Sequence, residues 1–172
     1  MKQLIKYKRF DPLKDSPVKI PNTKGNYLIV LKPSSKLPDT GINFNCKTVD
    51  NKDIIYTGIS NRSLRSRDFR QHFNGTAGNS TLRKSIGSMF GWKKIPRDKV
   101  DNGKTKFNAE DENRLSEWMA QNLELYYFPN TTPKENEEEL IKLLNPPLNL
   151  SKNKNIENSD FRAELSRLRK LK

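Results

Sequence analysis

The chain has one cysteine and one histidine among its 172 residues, and these two scarcities dispose of several chemistries at once. Cys46 alone can close no disulfide within the chain and build no Cys-x-x-Cys zinc site, and a single His72 leaves a structural zinc without its usual donors. Long apolar runs are missing too. Nothing approaches the roughly 18 consecutive apolar residues of a membrane span, and the opening MKQLIKYKRFDPLKD lacks the apolar centre of a signal peptide. The expectation is a cytoplasmic protein with no membrane partner. Acid is the third shortage: 20 Asp and Glu stand against 33 Lys and Arg, a formal charge of +13 and a pI near 9.8, which points to a polyanionic partner.

The charge is also segregated. Residues 62–94 carry eight basic side chains and one acid, whereas residues 110–139 carry nine acids and two basic side chains. This division reads as a nucleic-acid face opposite a solvated acidic one. An anionic membrane is the weaker reading, because no basic amphipathic helix carries a broad apolar stripe.

Along the chain, residues 1–24 are basic and interrupted by Pro12, Pro17 and Pro21, so they are expected to form an arm laid over a domain rather than a strand of its sheet. Tyr27 to Leu31 is a short apolar run suited to a buried central strand. Residues 33–52, rich in Ser, Pro, Asp, Gly and Asn, read as a surface excursion before a second strand over Asp53–Gly58. A helix through Ser63 to Phe73 follows, then a second capped by Ser80 or Thr81 with Leu82, Ile86, Met89 and Phe90 on one face. Between Trp92 and Phe107, basic residues around Asp101-Asn102-Gly103 suggest a small hairpin that contacts a groove, or a solvated loop. Asn108 caps a third helix with an acidic first turn, Leu123–Phe128 is a third strand, and Thr132-Pro133-Lys134-Glu135 reads as a capping box opening a helix that must end before Pro146-Pro147. The tail 151–172 places Phe161, Leu165 and Leu168 at helical spacing among basic residues.

On these elements sit Gly25-Asn26-Tyr27, Tyr56-Thr57-Gly58, an Arg/His helix with Arg67 and His72, and Glu137, which precedes Leu140-Ile141-Lys142 by three residues and leads to Pro146 and Asn149. In that order the pattern resembles the GIY-YIG nuclease superfamily over residues 25–150. Helix geometry selects Glu137 independently, since Leu140, Ile141 and Leu144 at i+3, i+4 and i+7 put it on the apolar face, while Glu138 has Lys142 at i+4 and looks outward. Asn26 and Thr57 replace the isoleucines of the family name, and the wide spacing of the two tyrosines makes 33–52 an insertion, as 92–107 is another. Arg67 and His72 are five apart, not four as in many members, and an α-helix would splay them by about 140°. Either the helix starts late, at Ser66, or Arg65 or Arg70 carries the role; Arg67 is the first choice.

The resemblance implies an α+β domain with a small, mostly antiparallel three-stranded sheet flanked by helices, followed by a basic helical tail. It implies a metal-dependent endonuclease acting on DNA. Tyr27 would be the general base for water with His72 relaying the proton, Tyr56 a second hydroxyl, Arg67 a brace for the phosphate, and Glu137 the ligand of Mg²⁺ or Mn²⁺. Ionising a tyrosine at pH 7 needs about 4 kcal/mol from nearby cations, expected from Arg67 and the metal. Arg65, Arg70, Arg83, Lys84, Lys93 and Lys94 are the expected nucleic-acid contacts. The rival reading is a nucleic-acid-binding module that keeps the scaffold without cutting. RNA is a third, without a recognisable RNA-binding signature. A homodimer is compatible with the sequence and not determined by it.

Overall fold

The computed structural model describes residues 6–100 and 102–171. In chain order these form β1 (Lys8–Phe10), a 3₁₀ turn (Pro17–Lys19), β2 (Gly25–Leu31), β3 (Thr48–Val49), β4 (Lys52–Ser60), a π-helix (Arg65–Phe73) and α1 (Thr81–Met89). There follow β5 (Ile95–Pro96), β6 (Thr105–Lys106), α2 (Ala109–Asn122), β7 (Leu123–Pro129), α3 (Pro133–Leu144) and α4 (Ser159–Lys170).

The three strands read from the sequence form the centre of the sheet, but the sheet has five strands, in the order β1-β7-β2-β4-β3, with every pair antiparallel. β2 is buried along its whole length because it is covered on both faces, which is why its apolar run does not alternate. Tyr27, Ile29 and Leu31 belong to the main core with the π-helix, α1, α2 and α4, whereas Leu28 and Val30 pack with Ile54, Tyr126, Leu140 and Leu144 under α3. On β4, Ile29 pairs with Tyr56 and Val30 with Ile54. The skipped residue is Ile55, a bulge that sends both Ile55 and Tyr56 into the main core.

The arm is corrected in part. Lys8–Phe10 pairs with β7, with Phe10 fully buried and the Arg9 guanidinium bidentate on Glu124 at 2.8 and 2.6 Å, because the outer edge of β7 would otherwise be unpaired; residues 1–5 of the arm lie outside the described residues. The 33–52 excursion hides β3, which turns into β4 through Asp50-Asn51, both at positive φ, as a two-residue hairpin requires. The basic hairpin forms as β5–β6, although Asp101 of its expected turn lies outside the described residues. Ser80 and Asn108 cap α1 and α2 by accepting from the N–H groups of Arg83 and Asp111. Pro133 opens α3 as expected, but the capping box is not made: the Thr132 side chain accepts no cap bond. The tail forms a helix packed on the domain, with Phe161 and Leu165 of α4 in the main core.

Candidate active site

The main-core face of the β2–β4 pair carries both tyrosines of the pattern. Tyr27 pairs with Gly58, and a side chain at position 58 would strike the Tyr27 ring and hydroxyl; glycine is what lets the phenol lie flat across β4. The rings of Tyr27 and Tyr56 are 6.3 Å apart, and those of Tyr27 and His72 5.4 Å. Their exposures differ: Tyr27 is 0 % exposed, Tyr56 is 9 % exposed, and the Tyr56 hydroxyl lies 3.3 Å from Oγ1 of the exposed Thr81.

The helix that carries Arg67 and His72 is wound wider than an α-helix. Bonds from residue i to i+5, as from the Phe69 carbonyl to the Asn74 N–H, give about 4.4 residues per turn, so five residues return to within about 50° of the starting face instead of 140°. The five-residue spacing therefore leaves Arg67 and His72 near one face of this helix. The Arg67 guanidinium donates to Gln71 Oε1 at 2.7 Å and to the Asn79 carbonyl at 3.4 Å, and its charge lies close enough to the Tyr27 phenol to oppose the upward push of burial on that group. Arg65, the alternative, is held by the carbonyls of Ile20 and Val18.

His72 is fully buried between two hydroxyls, with Nε2 2.7 Å from Tyr27 Oη and Nδ1 2.7 Å from Ser80 Oγ. Burial, then Arg67 and Arg83, push its pKa well down, so the ring is neutral. Burial pushes Tyr27 well up, with Arg67 opposing but not prevailing. This reverses the expectation that cations pull the phenol down. A protonated Tyr27 donates to Nε2, which leaves the proton on Nδ1 to be donated to Ser80 Oγ. Ser80 is thus both helix cap and the far end of a Tyr27–His72–Ser80 chain. Asp68, next to Arg67, is also fully buried, and neither carboxylate oxygen has a partner among the described residues.

Arg83 is a correction. Read as a nucleic-acid contact, it is 0 % exposed and donates to Glu112 Oε2 at 3.1 and 2.8 Å, to the Glu112 carbonyl and to the carbonyls of His72 and Phe73. It ties the end of the π-helix to α2 and holds His72 in place. Arg70 and Lys93 are exposed, and Lys84 and Lys94 half-buried.

Glu137 is the most sheltered of its acidic run where the two are compared, 20 % exposed at the side chain against 74 % for Glu138, and its Oε2 lies 2.7 Å from Lys152 Nζ. It sits at the front of α3, whose apolar stripe covers the sheet face opposite Tyr27. No hydrogen bond or ion pair among the described residues joins it to the tyrosine–histidine–arginine cluster. Asn149, three residues past Pro146, accepts from the Thr57 N–H and donates to the Thr57 carbonyl, each at 2.9 Å, locking the end of α3 to the Tyr56-Thr57-Gly58 strand.

The family model described as the GIY-YIG catalytic domain matches residues 25–171. The chain belongs to the GIY-YIG family. The comparisons with curated proteins and with solved structures found no significant match. Membership places the protein in a nuclease family whose members are typically endonucleases, and the match extends through α4 rather than stopping at 150. Among the described residues no helix is long and apolar enough to cross a membrane, and no group of three or more His, Cys, Asp or Glu is placed to hold a metal. Glu137 offers an oxygen donor of the kind Mg²⁺ prefers, and its carboxylate is paired with the Lys152 ammonium. Sequence reasoning missed Asp68 and Lys152; a buried acid beside an arginine and a lysine on a loop carry no local signal.

Proposed function

We propose that the protein is a divalent-metal-dependent endonuclease that hydrolyses DNA phosphodiester bonds. The observation that carries this reading is the Tyr27–His72–Ser80 hydrogen-bonded chain beside Arg67 and Tyr56, on the scaffold of a nuclease family. The exposures suggest a division of labour. Tyr56, at the rim, meets the attacking water or the phosphate, and Tyr27 behind it exchanges a proton with His72. Arg67 braces the non-bridging oxygens, its charge fixed at any working pH. Glu137 would hold one Mg²⁺ or Mn²⁺, giving up Lys152 to do so; such an ion supplies charge stabilisation for the leaving 3′ oxygen.

Supercoiled plasmid incubated with Mg²⁺, with Mn²⁺ and with EDTA tests this. Nicking that needs the metal and disappears in Glu137→Ala, while plasmid binding persists, is the expected result. The second reading, a binding module that does not cut, is favoured by the complete burial of Tyr27 and His72 and by the Glu137–Lys152 pair. Binding without nicking under any metal would establish it.

A further inference from the structure

A cleft of about 740 Å³ lies between α1, the β5–β6 hairpin and the end of α4. Lys84, Lys93, Lys94, Arg169 and Lys170 line it, and no acid does. Lys94 is spoken for: its Nζ donates to the carbonyls of Leu168 and Leu171 at 3.0 and 2.8 Å, which pins the end of α4 against the hairpin and holds Arg169 in the wall. Arg169 itself is half-buried, yet no carboxylate or carbonyl among the described residues accepts from its guanidinium. The contrast with the other sheltered arginines is sharp, since Arg83 has Glu112 and Arg162 has Asn145 and Asn155. Lys84 is likewise unpaired at its Nζ among the described residues, and burial followed by Arg169, Lys94 and Arg97 lowers its pKa. Cations crowded and partly desolvated without a counter-charge repel one another, and an anion relieves that repulsion.

The cleft adjoins the candidate active site. Arg169, in the cleft wall, lies within electrostatic reach of Tyr56. Thr81, which meets the Tyr56 hydroxyl, is three residues before Lys84 on α1, so their side chains are neighbours about 5–6 Å apart at Cβ, a step comparable to that between successive phosphates of a strand. We propose that this cleft seats the DNA phosphate next to the scissile one, with the Arg169 fork and Lys84 as its ligands. Lys93 and Lys170 continue the track outward as exposed cations, and Ile95, Leu150 and Leu171 give the sugar edge an apolar wall. A track that runs out to solvent suits a strand rather than a free nucleotide. The assignment rests on the nuclease reading only for which phosphate is scissile.

The test is duplex DNA binding by fluorescence anisotropy in EDTA between 50 and 200 mM salt, for the full chain and for Arg169→Gln/Lys84→Gln. The slope of log K against log salt should fall by about 1.8, two phosphate contacts at about 0.9 each. Lys14→Gln/Lys36→Gln, which removes the same charge from exposed lysines outside the cleft, should leave the slope unchanged. Circular dichroism melts check folding, and if the first pair fails to fold, Lys93→Gln/Lys170→Gln on the exposed rim should lower the slope instead. An unchanged slope in the cleft variants, or an equal fall in the control, overturns the proposal. Displacement of the duplex by micromolar dAMP would make the cleft a nucleotide site and overturn it as well. Plasmid nicking with an unchanged slope sinks the cleft alone, whereas binding without nicking sinks the nuclease reading and leaves the slope to decide the cleft.

Discussion

Replacing Asp68 by asparagine should make the protein more stable, and more so as the pH rises. The residue is 0 % exposed with both oxygens unpartnered among the described residues, and burial raises its pKa well above 3.8 against a smaller opposing effect of Arg67. An unfolded aspartate gives up its proton near 3.8, while the folded one keeps it to higher pH. Between those two values the folded state binds more protons, so stability falls with rising pH at about 1.4 kcal/mol per unit. From 3.8 to neutrality the loss has a ceiling of about 4 kcal/mol. Asparagine has the same shape and never ionises. Urea denaturation of the two proteins at pH 4, 5.5 and 7 should therefore show a gain near zero at pH 4 that grows toward that ceiling, equivalent at most to about 8–16 °C in melting temperature. His72 contributes the opposite slope: its folded pKa is depressed, so stability is lost as pH falls below about 6.5. It is present in both proteins, and the difference between them isolates Asp68. A difference that does not change with pH, or a variant less stable at pH 7, would mean an ionised and partnered carboxylate and refute the reasoning.

Removing one member of the Arg83–Glu112 pair strands the other charge in the core, so Glu112→Ala should cost about 3–5 kcal/mol and lower the thermal midpoint by about 6–20 °C; a circular-dichroism melt within about 1 kcal/mol of the parent would contradict this. Gly58→Ala puts a methyl where the Tyr27 ring lies and should cost about 1–3 kcal/mol, shifting the His72 ring resonances in NMR and reducing plasmid nicking while duplex affinity holds. Unmoved histidine resonances would show that the ring has room.

What could be read in advance were features set by local spacing. The three central strands, the Ser80 and Asn108 caps, and Glu137 as the inward acid of its run all follow from patterns a few residues long. What could not be read depends on distant partners. Lys8–Phe10 has no strand signature, and becomes one because β7 presents an open edge more than a hundred residues later. Arg83 looks like a surface cation until Glu112, 29 residues on, draws it inside. The identities of Tyr27 and His72 were legible, but their burial was not, because it is imposed by the π-helix, α1 and β4 together.

The wide winding of residues 65–73 bears on how this protein is set beside its kin. An extra residue between two working side chains ordinarily bulges into a loop or swings one of them away; here the coil absorbs it by opening its pitch, and both ends stay docked. A column-by-column alignment that insists on four steps from arginine to histidine would pass over a pair that the wider coil brings near one face in five, because opening the coil changes how far each step turns.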